Sequence, residues 1–462
     1  MKASAYNFVV PHKDGSILFN ARTGKLLRLT QPITSYLASS LMGKNEEDTS
    51  IQVDRRSYDL LVNEQFVVDD DFDEVGAIRG VFWTARNDAP AVLTITTTLD
   101  CNLGCFYCYE ERSEARLEPQ DVSAILAYTE RLLSRSGRSK LHVDWYGGEP
   151  TLNLPFLERA SEALQELCAR KKVTYSASII SNGTLWPDDV ANFVDRHRIR
   201  QVQITFDGMP DTHNRRRFFR SRSDKGRSSF AEASRVVSKL VQVCRTDIRF
   251  NIDEMNKQDF IPFTAFAIEN GWFASQHRAT LQPARVSSYS EKSRFVTKIE
   301  IGNHEFDSLR REASKMVPAG VIEEPESVGG QATPKTSVCA ALSNNAMVIG
   351  ADRKLYRCGL QVSETNRAVG TINPGPFEIL NNSVASDLKW WEDFDPTDLR
   401  SCSSCSFLPI CLGGCPKKQL EQDKTALDAQ SAYWRENLAR LIYKTAEVPE
   451  VAFTFTEEQQ FR

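Results

Sequence analysis

The sequence lacks both a long hydrophobic run and a strong excess of charge of either sign. No apolar stretch in its 462 residues approaches transmembrane length, and residues 1–16 lack the apolar segment of a secretory signal. We therefore expect a cytoplasmic protein with no membrane partner. The formal net charge of −4 gives no electrostatic reason to expect nucleic acid as a partner either.

Histidine is scarce, whereas cysteine is clustered. The chain has 6 histidines and 11 cysteines, and in a reducing cytoplasm cysteines serve better as metal ligands than as disulfide partners. Cys101, Cys105 and Cys108 lie within the segment CNLGCFYC, directly after the strand-like run Ala91–Thr98. Thiolates favour zinc or iron–sulfur clusters, and no histidine lies nearby to complete a structural zinc site. This spacing predicts a centre with three thiolates and one open coordination position.

Strand-like and helical segments alternate from Ala91 to about Val286. The predicted strands are Val92–Thr97, Leu141–Trp145, Thr174–Ile180, Gln201–Phe206, Asp247–Ile252 and Ala279–Gln282. The predicted helices are Pro119–Ser134, Pro155–Arg170, Pro187–His197, Ser229–Cys244 and Asp259–Asn270. Six successive β/α units predict an α/β fold with a partial (β/α)6 TIM-like barrel. In such barrels the loops that follow the strands carry the chemistry, and the cysteine loop follows the first strand.

The cysteine loop resembles the CxxxCxΦC loop of the radical SAM enzymes, with Tyr107 in the aromatic, cofactor-binding position. The resemblance implies that Cys101, Cys105 and Cys108 hold a [4Fe–4S] cluster whose open iron binds S-adenosylmethionine. It also implies an electron donor such as flavodoxin or ferredoxin, and cleavage of the cofactor to a 5′-deoxyadenosyl radical.

Two further motifs of this family follow predicted strands. The segment WYGGEP at Trp145–Pro150 matches the GGEP motif, which implies that Gly147, Gly148 and Glu149 contact the methionine amino group of the cofactor. In the segment ISNGT, Ser181 and Asn182 match positions that bind the ribose in related enzymes, although Asn-Gly is also an ordinary turn.

The segment after the fourth predicted strand, ITFDGMPDTHNRRR, resembles the SLDG…H…R stretch of peptide-modifying members. The resemblance implies a catalytic role for Asp207 in the barrel mouth, whereas a turn-initiating aspartate is the alternative. His213 and Arg217 match positions that shape the mouth.

A second group of cysteines lies in the last quarter of the chain. Its spacing is C-x2-C-x5-C-x3-C after two isolated cysteines, and its members are Cys339, Cys358, Cys402, Cys405, Cys411 and Cys415. Six thiols are too many for one mononuclear metal, although a zinc ribbon could use four of them. The pattern resembles the SPASM domain, which carries auxiliary iron–sulfur clusters. The hairpin segment ADRKLYRC also matches, except that Arg353 replaces the usual glycine.

The SPASM resemblance implies one or two auxiliary [4Fe–4S] clusters. Cys339, Cys358 and Cys415 would hold the first, and the second would be held by Cys402, Cys405 and Cys411. The family has a seventh cysteine that this chain lacks beyond Cys415. The second cluster therefore needs an oxygen ligand or an open iron, or it does not assemble. The candidate oxygen ligands are Glu421, Asp423 and Asp428. The two other cysteines, Cys168 and Cys244, are predicted to be small buried hydrophobic residues.

The N-terminal residues are predicted to form a separate module. Ser16–Leu29 reads as two short strands about a turn, and helices are predicted at Pro32–Leu41 and Asp54–Asn63. This pattern resembles the winged-helix domains that recognise leader peptides, and an extension that caps the barrel is the alternative. The predicted domains are residues 1–80 for this module, 90–300 for the barrel, 301–334 for a linker, 335–445 for the SPASM domain and 446–462 for a tail.

The motifs together resemble those of RiPP maturases, which modify ribosomally made peptides. This resemblance implies an enzyme that oxidatively modifies a precursor peptide with a leader sequence, by a thioether, carbon–carbon or ether crosslink. The alternatives are a protein-modifying maturase of the anaerobic sulfatase-maturing type and a non-catalytic iron–sulfur electron-transfer protein.

Overall fold

The protein is described by a computed structural model that covers most of the chain. The described residues are 1–13, 15–30, 55–224, 226–274, 279–288, 291–322, 332–362, 364–373, 382–449, 451, 453–456 and 459. The predicted helix Pro32–Leu41 and residues 323–331 of the predicted linker lie outside these residues. None of the described helices is long and apolar enough to cross a membrane.

The chain divides into two compact units that each combine distant segments. The first, which we call the terminal unit, contains residues 1–89, 324–343 and 392–462. The second, the barrel unit, contains residues 90–323 and 344–391. Because each unit is assembled from segments far apart in sequence, neither corresponds to one continuous stretch of chain.

The terminal unit begins with two small antiparallel sheets and two helices. Its strands are β1 (Lys2–Ala3), β2 (Asn7–His12), β3 (Gly15–Asn20), β4 (Leu26–Thr30) and β5 (Val67–Val68), and its helices are α1 (Arg55–Asn63) and α2 (Glu74–Asp88). Strands β2, β3 and β4 pair in order, and β1 pairs with β5. The predicted strand pair and the predicted helix at Asp54–Asn63 are thus present. Strand β2 and helix α2 were not predicted.

The barrel unit is built around six parallel strands that pair in chain order. They are β6 (Ala91–Thr98), β7 (Lys140–Gly147), β8 (Thr174–Ser181), β9 (Ile199–Phe206), β10 (Arg245–Ile252) and β11 (Ala279–Arg285). The helices are α3 (Val122–Ser136), α4 (Leu154–Lys171), α5 (Val190–Arg196), α6 (Pro210–Arg216), α7 (Ser229–Leu240), α8 (Phe260–Glu269) and α9 (Asn303–Ser314). This order confirms the predicted α/β fold with a partial (β/α)6 barrel.

Apolar side chains on the outer face of the sheet pack against the helices. Phe206 of β9 lies 4.9 Å from Phe263 of α8 between ring centroids, and 5.8 Å from Trp272. Cys168 in α4 and Cys244 before β10 are buried, as predicted for small hydrophobic residues. Burial of these faces fixes the register of each strand, and with it the position of the loop that follows.

The sheet continues beyond β6 with strands from the segment after the barrel. These strands are β12 (Ala346–Ile349), β13 (Lys354–Tyr356) and β14 (Gly370–Thr371), and β12 pairs in parallel with β6. Arg353 in the β12–β13 turn has a φ of +67°, which glycine adopts more easily. Its Nε donates to Oδ1 of Asp121 at 2.8 Å, so the arginine forms an ion pair at the position where the SPASM pattern has glycine.

Helices dominate the C-terminal part of the chain. They are α10 (Asn382–Asp393), α11 (Arg400–Ser403), α12 (Leu408–Cys411), α13 (Pro416–Leu420) and α14 (Lys424–Thr445). Within the terminal unit, N-terminal and C-terminal residues pack together. The rings of Phe8 and Phe407 stack at 5.2 Å, and Trp83 Nε1 donates to Oδ2 of Asp395 at 2.7 Å. The N-terminal module is therefore part of the body that carries most of the C-terminal cysteines.

Candidate functional site

The cysteine loop begins at the C-terminal end of β6 and gathers three half-buried thiols. Burial raises the pKa of Cys101 to about 12 and that of Cys108 to about 11, and the charge of Cys105 adds to both shifts. The three thiols therefore lie close enough to repel one another when ionised. A bound cation would favour their thiolate forms.

The three thiols are suitable ligands for an iron–sulfur cluster. Among the described residues, no three His, Cys, Asp or Glu side chains converge as one metal ion requires. A [4Fe–4S] cluster binds its thiolates to different irons, so its ligands stand further apart. Three neighbouring thiols are consistent with such a set of ligands.

A short ladder holds the cysteine loop in place. Leu103 forms an isolated antiparallel bridge with Phe219, and the amide of Gly104 donates to the carbonyl oxygen of Phe218 at 2.8 Å. The amide of Arg220 donates to the carbonyl oxygen of Asn102 at 2.9 Å. This pairing joins residues more than a hundred positions apart, and no local sequence signal predicts it.

The glycine pair of the GGEP motif lies against the start of the cysteine loop. Gly147 has a φ of +134°, and a Cβ added at Gly148 would lie 2.3 Å from the carbonyl oxygen of Asp100. The amide of Gly148 donates to the carbonyl oxygen of Thr98 at 3.0 Å, and that of Glu149 to Asp100 at 3.0 Å. The two glycines therefore allow the end of β7 to approach the backbone of the cysteine loop.

Glu149 is fully buried and is bound by the protein itself. Its carboxylate accepts hydrogen bonds from the hydroxyl of Ser181 at 2.8 Å and from the amides of Thr151 at 3.1 Å and Asn182 at 2.6 Å. Burial raises its pKa, and these hydrogen bonds oppose that rise. The carboxylate thus ties the end of β7 to the end of β8. Contact with the methionine amino group remains a prediction.

Ser181 and Asn182 are also buried, and both bond within the protein. Trp186 Nε1 donates to the Ser181 hydroxyl at 3.0 Å. Asn182 Nδ2 donates to Oδ1 of Asn102 in the cysteine loop at 2.8 Å and lies 3.8 Å from the sulfur of Cys101. The geometry favours support of the cysteine loop over an ordinary turn. Ribose binding by these two residues remains a prediction.

Asp207 lies at the centre of a buried network at the barrel mouth. Its carboxylate accepts from the hydroxyl of Tyr107 at 2.7 Å and from Nε of Arg216 at 3.2 Å. Arg216 also donates to Asp253 at 2.6 Å, and both carboxylates are fully buried. His213 Nδ1 accepts from the amide of Asp207 at 3.3 Å. A carboxylate held in this way is suited to fixing Tyr107, whereas direct catalysis by Asp207 remains a prediction.

Inside the barrel, neighbouring strands present a polar network that the sequence analysis missed. His142 on β7 bonds to Asp144 at 3.1 Å and, through its other ring nitrogen, to Ser176 on β8 at 2.9 Å. Burial opposes ionisation of Asp144, but hydrogen bonds from His142 and Ser178 lower its pKa. Alternation along β7 was the signal that could have placed these side chains on the inner face.

We expect Gly148→Ala to displace the cysteine loop and weaken cofactor binding. The new methyl group would overlap the Asp100 carbonyl oxygen, so the strand end or the loop must move. The expected result is a loss of affinity for S-adenosylmethionine of about tenfold or more, or about 1.4 kcal/mol. Equilibrium binding to reconstituted protein measures it.

Gly80→Ala is the matched control, because a Cβ at Gly80 in α2 meets no atom within 4 Å. It should leave cofactor affinity unchanged and stabilise the helix by about 0.8–1 kcal/mol. Equal affinities for the two variants and the parent protein would show that the close approach at Gly148 has no role in cofactor binding.

Three of the C-terminal cysteines lie together in the terminal unit. Burial raises the pKa of Cys402 to about 12, and the charges of Cys411 and Cys405 add to this shift. Gln430 Nε2 donates to the sulfur of Cys411 at 3.9 Å, and its Oε1 accepts from the amide of Cys415 at 3.3 Å. The trio proposed for one auxiliary cluster is therefore assembled within one body.

The other predicted ligands are distributed between the units. Cys339 and Cys415 belong to the terminal unit, whereas Cys358 belongs to the barrel unit. Among the candidate oxygen ligands, Asp423 accepts from the amide of Ala426 at the start of α14 and pairs with Lys418 at 2.9 Å. Glu421 pairs with Lys417 and Lys418, and Asp428 is exposed.

These features define a class of protein. An α/β partial barrel that carries a tri-thiolate loop after its first strand, with a glycine pair after its second, is the framework of an iron–sulfur enzyme. Residues 95–267 match the Radical SAM superfamily, and this match supports the predicted radical SAM enzyme. Its cofactors are a [4Fe–4S] cluster and S-adenosylmethionine.

Known proteins similar to this chain include maturation enzymes. The serine-type anaerobic sulfatase-maturating enzyme of Klebsiella aerogenes is 24% identical over 328 residues, which are 68% of this chain and 77% of that protein. Native anSMEcpe with bound AdoMet and Cp18Cys peptide has a TM-score of 0.56 and 19% identity, over 78% of this chain and 100% of that one. This likeness shows the fold. Streptococcus suis SuiB bound to its precursor peptide SuiA gives a TM-score of 0.48 at 16% identity, over 90% of this chain and 95% of that one.

Proposed function

We propose that this enzyme is a maturase that oxidatively crosslinks a ribosomally made precursor peptide. The observation that carries the proposal is a cavity of about 250 Å³ within the terminal unit. Its lining includes Lys2, Tyr6 and Glu74 of the N-terminal module together with Ser403–Ser406, which include Cys405. A peptide bound by the N-terminal module would therefore lie beside the C-terminal cysteines.

In the barrel unit, Cys101, Cys105 and Cys108 are proposed to hold the cluster that binds S-adenosylmethionine. When bound, these cofactors supply the radical that abstracts hydrogen. Gly147 and Gly148 keep the end of β7 against the cysteine loop, so that the cofactor's amino acid part finds backbone groups at close range. Hydrogen bonds with Asp207, Arg217 and Asn251 hold the Tyr107 side chain of the loop in place.

The C-terminal cysteines are proposed to form a SPASM domain. Cys402, Cys405 and Cys411 would hold one auxiliary cluster, and Cys339, Cys358 and Cys415 the other. Lysines already neutralise Glu421 and Asp423. We therefore favour an open iron in the Cys402 cluster over a carboxylate ligand.

Crosslinking fits a protein with an additional redox centre. Closing a bond between two peptide atoms removes two hydrogens from the substrate. One leaves as an atom transferred to the radical, and the other leaves as a proton and an electron. The electron needs an acceptor near the peptide, and an auxiliary cluster beside the cavity would provide one.

Modification of a sulfatase is the second candidate function. It is favoured by the 24% identity to the Klebsiella aerogenes enzyme, which covers 68% of this chain. That reaction produces an aldehyde on the substrate and does not depend on a leader peptide, so two observations separate the candidates.

The proposal predicts leader-dependent loss of two hydrogens from a precursor peptide. The experiment incubates reconstituted enzyme, S-adenosylmethionine and a chemical reductant with a peptide encoded beside this gene, with and without its leader. Mass spectrometry should show the loss mainly for the leader-bearing peptide, with a product that does not react with a hydrazide. A hydrazide-reactive product on a sulfatase-derived peptide, with no change in either precursor form, would instead support sulfatase maturation.

A further inference from the structure

Arg217 lies opposite one of the thiols of the cysteine loop. The isolated bridge pairs Leu103 with Phe219 in antiparallel register. Partners in such a register keep a constant sum of residue numbers, so the register places Arg217 opposite Cys105. This backbone pairing thus places the positively charged Arg217 next to the cysteine loop, although the two segments are distant in sequence.

The guanidinium of Arg217 is held on one side and has a spare donor on the other. Nη1 donates to the hydroxyl of Tyr107 at 2.7 Å and lies 3.6 Å from Oδ1 of Asp207. Nε is buried and finds no hydrogen-bond partner in the part of the chain that the structure describes. A buried donor requires an acceptor, and arginine cannot lose its charge to escape that requirement. An acceptor outside the polypeptide would satisfy this donor.

The electrostatics place this cation within reach of two thiols. Burial raises the pKa of Cys101 and of Cys105, whereas the charge of Arg217 lowers both. The positive charge of the guanidinium therefore lies close to the proposed cluster ligands Cys101 and Cys105. A sulfur atom of the proposed cluster, bound between these thiols, could accept the hydrogen bond from Nε.

The neighbouring Arg216, in the same network, has its charge neutralised by carboxylates. It donates to Asp207 at 3.2 Å and to Asp253 at 2.6 Å, and two carboxylates neutralise its charge. Arg217 shares only Asp207 with it, at the longer distance of 3.6 Å. Arg217 therefore keeps more unneutralised positive charge near Cys101 and Cys105 than Arg216 does, and Arg112 adds positive charge near Cys105.

We propose that Arg217 donates its Nε–H to a sulfur of the radical-generating cluster and raises the reduction potential of that cluster. One-electron reduction adds a negative charge to the cluster, and a fixed cation with a hydrogen bond stabilises the reduced state more than the oxidised state. Reduction by a one-electron donor such as flavodoxin or ferredoxin then becomes easier. This inference rests on the proposed ligand roles of Cys101, Cys105 and Cys108.

The test is a potentiometric titration of the full-length, anaerobically reconstituted protein followed by EPR. The signal that changes on addition of S-adenosylmethionine identifies the relevant cluster. For Arg217→Gln, the ratio of reduced to oxidised cluster at a fixed potential should be about tenfold lower, which is 59 mV for a one-electron couple. Arg217→Lys keeps the charge and should fall between this variant and the parent.

Arg220→Gln is the matched control, because Arg220 lies on the same ladder but is exposed and paired with Asp100 at 2.9 Å. It should shift the ratio much less than Arg217→Gln. Tyr107→Phe removes the hydrogen-bond partner of Arg217 Nη1 and should shift the ratio of reduced to oxidised cluster in the same direction as Arg217→Gln. It replaces Arg217→Gln as the test if the Arg217→Gln protein does not assemble its cluster. Full iron content with unchanged ratios in the Arg217 and Tyr107 variants would overturn the inference. A parent protein with no signal that responds to S-adenosylmethionine would overturn the ligand assignment as well.

Discussion

Replacement of Cys101, Cys105 and Cys108 by alanine is expected to abolish cleavage of S-adenosylmethionine. The cluster that binds the cofactor would lose all three protein ligands, and the C-terminal cysteines cannot substitute for a loop built at the end of β6. Chromatographic detection of 5′-deoxyadenosine measures the loss. The retained iron then counts the auxiliary centres: about eight irons indicate two clusters and about four indicate one.

Cys168→Ala with Cys244→Ala provides the matched control. Both cysteines are buried outside the site, so their replacement changes packing but removes no proposed ligand. Cleavage activity and iron content should match those of the parent protein. Cofactor cleavage that survives the triple replacement would contradict the placement of the radical-generating centre in the barrel unit.

Arg216→Met is expected to destabilise the barrel unit strongly. The substitution leaves Asp207 and Asp253 buried without the cation that lies between them. Removing one member of a buried ion pair typically costs about 3–5 kcal/mol. Denaturant unfolding followed by circular dichroism measures the change in the free energy of unfolding.

Arg227→Met tests whether burial is the cause of that cost. Arg227 pairs with Asp224 and Glu232, but its side chain is 39% exposed, and such pairs contribute about 0–1 kcal/mol. Equal destabilisation by the two substitutions would mean that the buried network does not hold the barrel mouth together.

The sequence predicted the parts of the site that local patterns determine. A strand can be recognised from its own apolar residues alone. The alternation of predicted strands and helices therefore placed the cysteine loop after β6. The glycine pair after β7 was found in the same way. Both features depend on a few neighbouring residues.

Features that depend on pairing between distant segments were not predicted. The bridge between Leu103 and Phe219 and the parallel pairing of β12 with β6 join segments with no shared local signal. The same reason explains why the protein-bound state of Glu149 was missed. Its partners Ser181 and Asn182 belong to the next strand, and only the folded sheet brings them to the carboxylate.

The terminal unit shows the same limitation at the scale of a domain. Sequence patterns predicted the strand pair at Ser16–Leu29 and the C-terminal cysteine cluster as separate features. Aromatic packing between Phe8 and Phe407 joins the two ends of the chain. Nothing in either segment alone specifies that partnership.

The transfer of deuterium from substrate to cofactor tests the central claim most directly. The enzyme is incubated with S-adenosylmethionine, a reductant and a precursor peptide deuterated at its side chains. The account predicts 5′-deoxyadenosine that carries deuterium, in an amount equal to the peptide that loses two hydrogens. Formation of 5′-deoxyadenosine without deuterium, beside an unchanged peptide, would contradict the claim that this enzyme is a peptide maturase.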